Sequence, residues 1–383
     1  MRIALDARPL RRPLTGVERV TWHLADGLLP ASRSLARQDE VVLVTDGPFH
    51  ESTGTLPGAD VLTLPPASGL LARFMDTWIV RVLPPVLKHR GVDVLLTPHT
   101  KLPLSRDVKT VTTVHGLEWR FFPSGYPRIE RLKQRVWFEA AIRRSAGMLT
   151  FAESTRRDVD RAAGRRKLPP VRVVPEGVAP HFRRLEAGEI DEHWPQAVPN
   201  GARYVLSVCT LDPRKNLPRL VAAFATIAQR HPALCLVLVG KTGPAEADIR
   251  AQAMSLGIAD RLVFAGYVPD ASLPSLYARA SVFCYPSLYE GFGLPVVEAM
   301  ACGAPVVTSN VSSLPEVAGG AAAIVDPLDD AAIAAAIDRV LTDSSYRDEL
   351  VGRGFRRSEQ FTWESTCRGV VSFLAELIEG SPA

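Results

Sequence analysis

Short apolar runs alternate with longer amphipathic stretches along almost the whole chain. In the first half these runs are Arg2–Asp6, Glu40–Thr45, Val61–Leu64, Asp93–Thr97, Thr110–His115, Met148–Ala152 and Val171–Pro175, rich in Val, Leu and Ile. Several are apolar on both faces, as strands inside a parallel sheet must be, so each predicts a β-strand. Between them Val17–Leu29 and Ile129–Arg144 have helical spacing, and Thr155–Ala163 predicts a helix capped by Ser154 or Thr155. Gly177–Gly201 breaks the pattern with scattered Pro, Gly, Asp and Glu and predicts a linker. The alternation then restarts. Tyr204–Cys209, Leu234–Val239, Leu262–Ala265, Val282–Tyr285, Val306–Thr308 and Ala322–Val325 predict strands. Leu217–Gln229, Ala245–Leu256, Ser272–Ala278, Pro295–Cys302, Asp330–Leu341, Tyr346–Phe355 and Trp363–Ile378 predict helices.

Two consecutive βα series predict an α/β protein with two open parallel sheets, each covered by helices on both faces. Ligands bind such sheets beyond the carboxyl ends of the strands, and two facing domains predict a cleft for substrate. The 383 residues, 46% hydrophobic and 22% charged, are enough for two cores and exclude a disordered chain. A net charge of +4 is too small for a dedicated nucleic-acid binder. The start, MRIALDARPL, lacks the apolar core of a signal peptide, and no uncharged apolar run is long enough to span a bilayer. Five cysteines without CxxC spacing read as reduced, mostly buried thiols and predict a cytoplasmic protein. The eight histidines do not pair at metal-ligand spacings, and HExxH, a P-loop, GxSxG and a GxGxxG after the first strand are all missing.

The most informative segment is YPSLYEGFGLPVVEAMACGAPVVTS, from Tyr285 to Ser309. It joins two strands through a Gly-rich turn and a helix. Gly291 and Gly293 permit close backbone approach, and Pro295 suits a first helical turn. The N–H groups near Gly293, Leu294 and Val296 would attract an anion such as a phosphate. Glu290 precedes the turn and Glu298 lies on the second turn of the helix, so the two carboxylates can hold hydroxyls on either side of that anion. The other reading makes Glu298 a surface residue and the glycines plain turn formers. In CTLDPRKNLPRLVAAF, Arg214 and Lys215 lie in the loop between a strand and a helix. Either they clamp a diphosphate leaving group or they form a solvated basic turn. Gly16, in Thr15–Gly16–Val17–Glu18–Arg19, marks a similar turn early in the chain. In TTVHGLEWRFFP, His115 ends a strand as a candidate acid, base or hydrogen-bond donor, or as a packed histidine. Glu153 and Ser154 end the next strand, where they line the same edge or cap the following helix.

With these residues in place, the chain resembles the retaining glycosyltransferases of family 4 over nearly its whole length. Glu290 to Glu298 with GFGLPVV looks like the family's E-x7-E motif, and AMACGAPVVTSNVSSLPEV continues the family pattern. TLDPRKNLPRLVAAF resembles the donor-phosphate loop. VVPEGV resembles the interdomain NGV segment, with Glu176 in place of Asn and expected only to shape the linker.

The resemblance implies a GT-B fold, two Rossmann-like domains with parallel sheets facing across a cleft. Residues 1–180 would bind the acceptor, completed by the last helix at about 363–383. Residues 181–200 would be a linker, and 201–362 would bind a nucleotide-sugar. Glu290 would contact the donor sugar's 3- and 4-hydroxyls, Glu298 the ribose, Lys215 the diphosphate and His115 the sugar's 6-hydroxyl. Gly16, Thr210, Arg214, Gly291, Phe292, Gly293 and Leu294 would complete the donor site. Catalysis would fall to His115, Lys215 and Glu290, with no cofactor and no divalent metal. Thr210 stands where many members carry Arg. A subgroup with Thr there resembles mannosyl- and rhamnosyl-type transferases of bacterial surface polysaccharides, which favours GDP-mannose.

The implied reaction moves a hexosyl group, with retention, to a hydroxyl of a glycan or lipid-linked glycan. Its alternatives are a nucleotide-sugar epimerase of the same fold and a non-catalytic nucleotide-sugar or polysaccharide binder. Ile129–Arg144 carries Arg131, Lys133, Arg135, Arg143 and Arg144 beside Leu132, Val136, Trp137 and Phe138, and Leu70–Arg90 is similarly mixed. Such segments predict either peripheral contact with an anionic membrane at its inner face or helices packed on the sheet.

Overall fold

The computed structural model describes residues 1–56, 58–67, 76–186, 188–189 and 194–380. The chain divides into two compact units, Met1–Gly177 with Trp363–Ala383, and Val178–Thr362.

The first unit holds β1 (Arg2–Asp6), β2 (Glu40–Thr45), β3 (Asp60–Thr63), β4 (Val94–Thr97), β5 (Lys109–Val114), β6 (Gly147–Thr150) and β7 (Val171–Val173). They form one parallel sheet in the order β3-β2-β1-β4-β5-β6-β7. Central positions such as Ile3, Ala4, Leu5, Leu95 and Leu96 are wholly buried. Val61, on the edge strand β3, is exposed.

The helix that was expected to end at Leu29 runs from Gly16 to Ser34, through Pro30. Val20, Leu24, Leu28 and Ala31 continue one buried stripe across the proline. Burying a Leu or Val side chain is worth roughly 1.5–3 kcal/mol, enough to offset the lost hydrogen bond. The C-terminal helix Trp363–Glu379 packs on it so closely that a Cβ on Gly27 would lie 2.5 Å from Cys367 Sγ.

The second unit holds β8 (Arg203–Val208), β9 (Leu234–Val239), β10 (Leu262–Gly266), β11 (Val282–Tyr285), β12 (Val306–Ser309) and β13 (Ala323–Val325). These too are parallel, in the order β10-β9-β8-β11-β12-β13. Helix Leu217–Ala228 lays Leu220, Val221, Phe224 and Ile227 on this sheet, each fully buried.

Two expectations need correction. Helix Glu153–Ala163 starts two residues early, after Ala152, and has no side-chain cap. Ser154 and Thr155 are buried within it, and Glu153 pairs with Arg156 at 2.6 Å. After Gly177, the segment expected as a linker belongs to the second unit wherever it is described. Phe182 packs on Tyr277, Trp194 on Tyr204, and Arg279 lies over Trp194. Scattered Pro and Gly hid these aromatic anchors. Of the mixed stretch Leu70–Arg90, residues 70–75 lie outside the described residues. The rest forms the π-helical turn Trp78–Val82 and helix Leu83–His89.

Candidate functional site

In each sheet the strand order reverses once, between β1 and β4 in the first unit and between β8 and β11 in the second. Such a reversal opens a crevice outside the carboxyl ends of the two strands. In the second unit, residues 209–216 leave β8 and residues 286–293 leave β11, so both candidate loops rise from that reversal.

Three charged side chains meet there. Lys215 Nζ lies 2.5 Å from Glu290 Oε1 and 2.5 Å from the Tyr285 hydroxyl. Arg214 Nη1 donates to Glu290 Oε2 at 2.8 Å and to the Tyr289 carbonyl at 3.1 Å. Lys215 and Glu290 are each 7% exposed. Burial alone would raise the Glu290 carboxyl, but the charges of Arg214 and Lys215, with their hydrogen bonds, lower it from 4.5 to about 2. The pair Arg214 and Lys215 is therefore not a solvated basic turn. Two cations share the Glu290 carboxylate, and a second carboxylate, Asp212, lies 3.9 Å from Arg214 Nε.

The loop is held from several sides. Asn216 adopts the left-handed conformation, φ 60°, and its amide donates to the carbonyls of Pro286 at 3.1 Å and Pro327 at 2.7 Å. A non-glycine residue rarely takes that conformation, so these bonds fix the direction in which Lys215 points. Gly240, after β9, comes so close that a Cβ there would lie 1.9 Å from the Cys209 carbonyl oxygen. Thr210, next to it, is exposed.

Helix Leu294–Ala301 begins at Gly293, whose φ of 113° is open only to glycine at low cost. Of the N–H groups expected to meet an anion, that of Val296 is taken by the Gly293 carbonyl at 2.9 Å, and Pro295 has none. Those of Gly293 and Leu294 have no backbone partner among the described residues and face outward from the first turn only as donors. Gly291 and Phe292 are buried within the turn, and Phe292 packs on Phe361. Ser312 and Ser313 were not singled out from the sequence, yet they secure this turn. Ser312 Oγ accepts from Glu290 N at 3.0 Å, and Ser313 Oγ donates to the Phe292 carbonyl at 2.6 Å. Glu298 is 3% exposed and accepts from the Tyr277 hydroxyl at 3.0 Å, which rules out the surface-residue reading.

In the first unit, Gly16 opens helix Gly16–Ser34 with a φ of 39°. His115 follows β5 directly. Its Nε2 lies 3.0 Å from the Pro98 carbonyl, which accepts, so Nε2 carries the proton. Its Nδ1 faces the buried carboxylate of Glu176 at 3.8 Å, and its ring packs on Phe151 at 5.0 Å. Glu176 was expected only to shape the linker. Instead it is the charged partner of the candidate histidine, a pairing across 61 positions of sequence that only the fold brings about.

Among the described residues, no three His, Cys, Asp or Glu side chains group as metal ligands. No helix among them is long and apolar enough to cross a membrane. The five cysteines are all free. In helix Arg128–Arg144, Trp137 and Phe138 turn inward, whereas Ile129, Leu132 and Val136 are about half exposed.

Comparison with known proteins gives concordant matches. The family model "Glycosyltransferase Family 4" matches residues 14–182, and "Glycosyl transferases group 1" matches residues 189–357. The O-antigen chain mannosyltransferase B of Escherichia coli is 46% identical over 167 residues, 42% of this chain and 43% of that protein. The serotype-specific mannosyltransferase WbdA of Escherichia coli is 36% identical over 184 residues, 46% of this chain and 22% of that protein. The matched part thus spans less than half of either relative. Sucrose-phosphate synthase from Thermosynechococcus elongatus superposes with a TM-score of 0.78 at 22% identity, covering 99% of this chain and 100% of that one, which shows the shared fold.

Proposed function

Because this chain belongs to the glycosyltransferases of family 4 and has their GT-B fold, we propose that it transfers a mannosyl group from GDP-mannose to a hydroxyl of a glycan or lipid-linked glycan. The observation that carries this reading is the cluster of Arg214, Lys215 and Glu290 beside the start of helix Leu294–Ala301. The mannosyl preference is supported by the mannosyltransferases among the matching relatives and by Thr210 in the phosphate loop.

The donor diphosphate lies against Lys215, Arg214 and the N–H groups of Gly293 and Leu294. Glu290 turns part of its hydrogen bonding to the sugar hydroxyls, and Glu298 holds the ribose. The bond from the anomeric carbon to the diphosphate oxygen breaks first, through an oxocarbenium-like state. The acceptor oxygen then bonds to the same face, and its proton passes to the departing phosphate oxygen. Configuration is retained. Arg214, Lys215 and the helix terminus stabilise the negative charge that grows on the leaving group, and no divalent metal takes part. His115, paired with Glu176, is the first unit's candidate acid, base or hydrogen-bond donor.

The protein works in the cytoplasm, at the inner face of an anionic membrane. The half-exposed row Ile129, Leu132 and Val136, flanked by Arg128, Arg131 and Arg135, supports that contact.

A donor screen tests the reading. Bound ligand stabilises the folded state by mass action, so GDP-mannose should raise the unfolding midpoint more than UDP-, dTDP- or ADP-sugars. Product analysis should then find a glycoside with the donor's anomeric configuration. Epimerised nucleotide-sugar as sole product, or binding without turnover on any acceptor, would replace this reading with the epimerase or the binding protein.

A further inference from the structure

The two helices that follow β5, Glu118–Phe121 and Arg128–Arg144, border a cavity of about 460 Å³ that no step of the reaction proposed above uses. Four arginines line it, Arg120, Arg128, Arg131 and Arg135, together with Trp119, Pro123 and Leu132, and no carboxylate is among the lining residues. Arg128, Arg131, Leu132 and Arg135 recur at the three- and four-residue spacing that puts side chains on one face of a helix. Arg120 reaches the cavity from the shorter helix. Trp119 ties the wall to the core through Phe138, at 6.1 Å between rings.

The other cations of the longer helix have partners. Lys133 pairs with Glu130 at 2.8 Å, Arg143 with Glu139 at 3.8 Å, and Arg144 donates to the Leu104 carbonyl. Glu139 is held further by Arg166. Glu118, the acid nearest to Arg120 in sequence, lies against Gly116, where a Cβ would come 2.6 Å from its Oε1. Among the described residues, Arg120, Arg128, Arg131 and Arg135 have no ion pair and no side-chain hydrogen bond, and Arg131 Nε is buried without a partner. Like charges three and four residues apart weaken a helix, and a buried donor left unsatisfied costs more. A bound anion removes both costs. The charges also say which anion. A phosphate monoester carries about −1.5 to −2 charge at neutral pH and three strong acceptor oxygens, against a single charge on a diester. Guanidinium forks hold such oxygens in pairs. Trp119, Pro123 and Leu132 leave an apolar side for the carbon portion of the ester.

We propose that this cavity is a binding site for a phosphate monoester, its oxygens held by Arg131 with Arg120, Arg128 and Arg135. The site goes beyond the membrane contact proposed above, for which any anionic surface serves. A soluble phosphate ester and a lipid headgroup share this chemistry, and the test separates them. Calorimetric titration of the whole chain uses methyl phosphate and dimethyl phosphate as probes. Methyl phosphate should bind saturably, and dimethyl phosphate at least tenfold more weakly. Arg131→Met and Arg120→Met should each weaken methyl phosphate at least fivefold. Lys133→Met takes the same charge from the same helix, but from a paired position, and should change the affinity less than twofold. Lys215→Met, in the second unit, should also change it less than twofold. Arg120 is exposed, so its variant keeps the test open if Arg131→Met does not fold. No binding of methyl phosphate, equal binding of the two probes, or an equal loss in Lys133→Met or Lys215→Met overturns the proposal. Flotation with phosphatidylcholine vesicles then identifies the source. A preference for added phosphatidic acid over phosphatidylglycerol at equal surface charge, lost in Arg131→Met, assigns the site to a lipid headgroup. Methyl phosphate binding without that preference assigns it to a soluble ester. Equal binding to both vesicles with no methyl phosphate binding keeps the membrane contact and overturns this site.

Discussion

Replacing Glu290 with Gln removes the one carboxylate shared by Arg214 and Lys215 while keeping the side chain's size. Glu290 sits at about 2 when folded, against an ordinary 4.5. Each pKa unit is worth about 1.4 kcal/mol, so the ionised carboxylate contributes about 3 kcal/mol to stability near neutral pH. The sign follows from the depressed value. The contribution is full above the unfolded pKa, and it is lost as pH falls from about 4.5 through about 2. Between pH 6 and pH 3 linkage removes about 2 kcal/mol of it from the native protein and none from Glu290→Gln. Urea unfolding of both proteins at several pH values measures this. Asp6 and the other carboxylates titrate alike in the two proteins and cancel in the difference. The stability gap should narrow by about 2 kcal/mol as the solution is acidified. A gap that stays constant from pH 6 to pH 3 would mean that Glu290 does not neutralise the two cations, and the electrostatic reading of the site would fall.

Three further outcomes follow from the same geometry. Glu298→Gln keeps an oxygen for the Tyr277 hydroxyl but loses its charge, so calorimetry should find GDP-mannose bound about tenfold more weakly, with the unliganded melting point nearly unchanged. Gly240→Ala forces a Cβ onto the Cys209 carbonyl at a φ of 141°, and denaturant unfolding should record a loss of about 2–4 kcal/mol. Glu176→Gln should lower kcat about tenfold with the KM for the donor unchanged, and Glu176→Asp should recover part of it; equal loss in both variants would make Glu176 purely structural.

What could be read along the chain was what repeats locally. Buried parallel strands are short apolar runs, and Glu40–Thr45, Leu234–Val239 and Val282–Tyr285 were bounded to the residue by that signal. Glu290, Arg214 and Lys215 were legible because loops that leave adjacent strands carry chemistry in recognisable spacing. The rest depended on partners far apart in sequence. Asp6 meets His99 at 3.2 Å only because β1 lies beside β4. His115 meets Glu176 only because of where β5 and β7 end. Asn216, Gly240, Ser312 and Ser313 look like ordinary turn residues until the loops they fasten lie side by side. Residues 178–200 misled for the opposite reason: turn-forming composition concealed two aromatic anchors.

The central claim is that a sugar-nucleotide diphosphate sits at the start of helix Leu294–Ala301, between Glu290 and Glu298. A crystal structure of the chain grown with GDP-mannose measures this directly. The diphosphate should lie against Lys215 and the N–H groups of Gly293 and Leu294, with the ribose on Glu298 and the hexose on Glu290. Density for the nucleotide away from that helix, or both carboxylates facing away from it, would contradict the account.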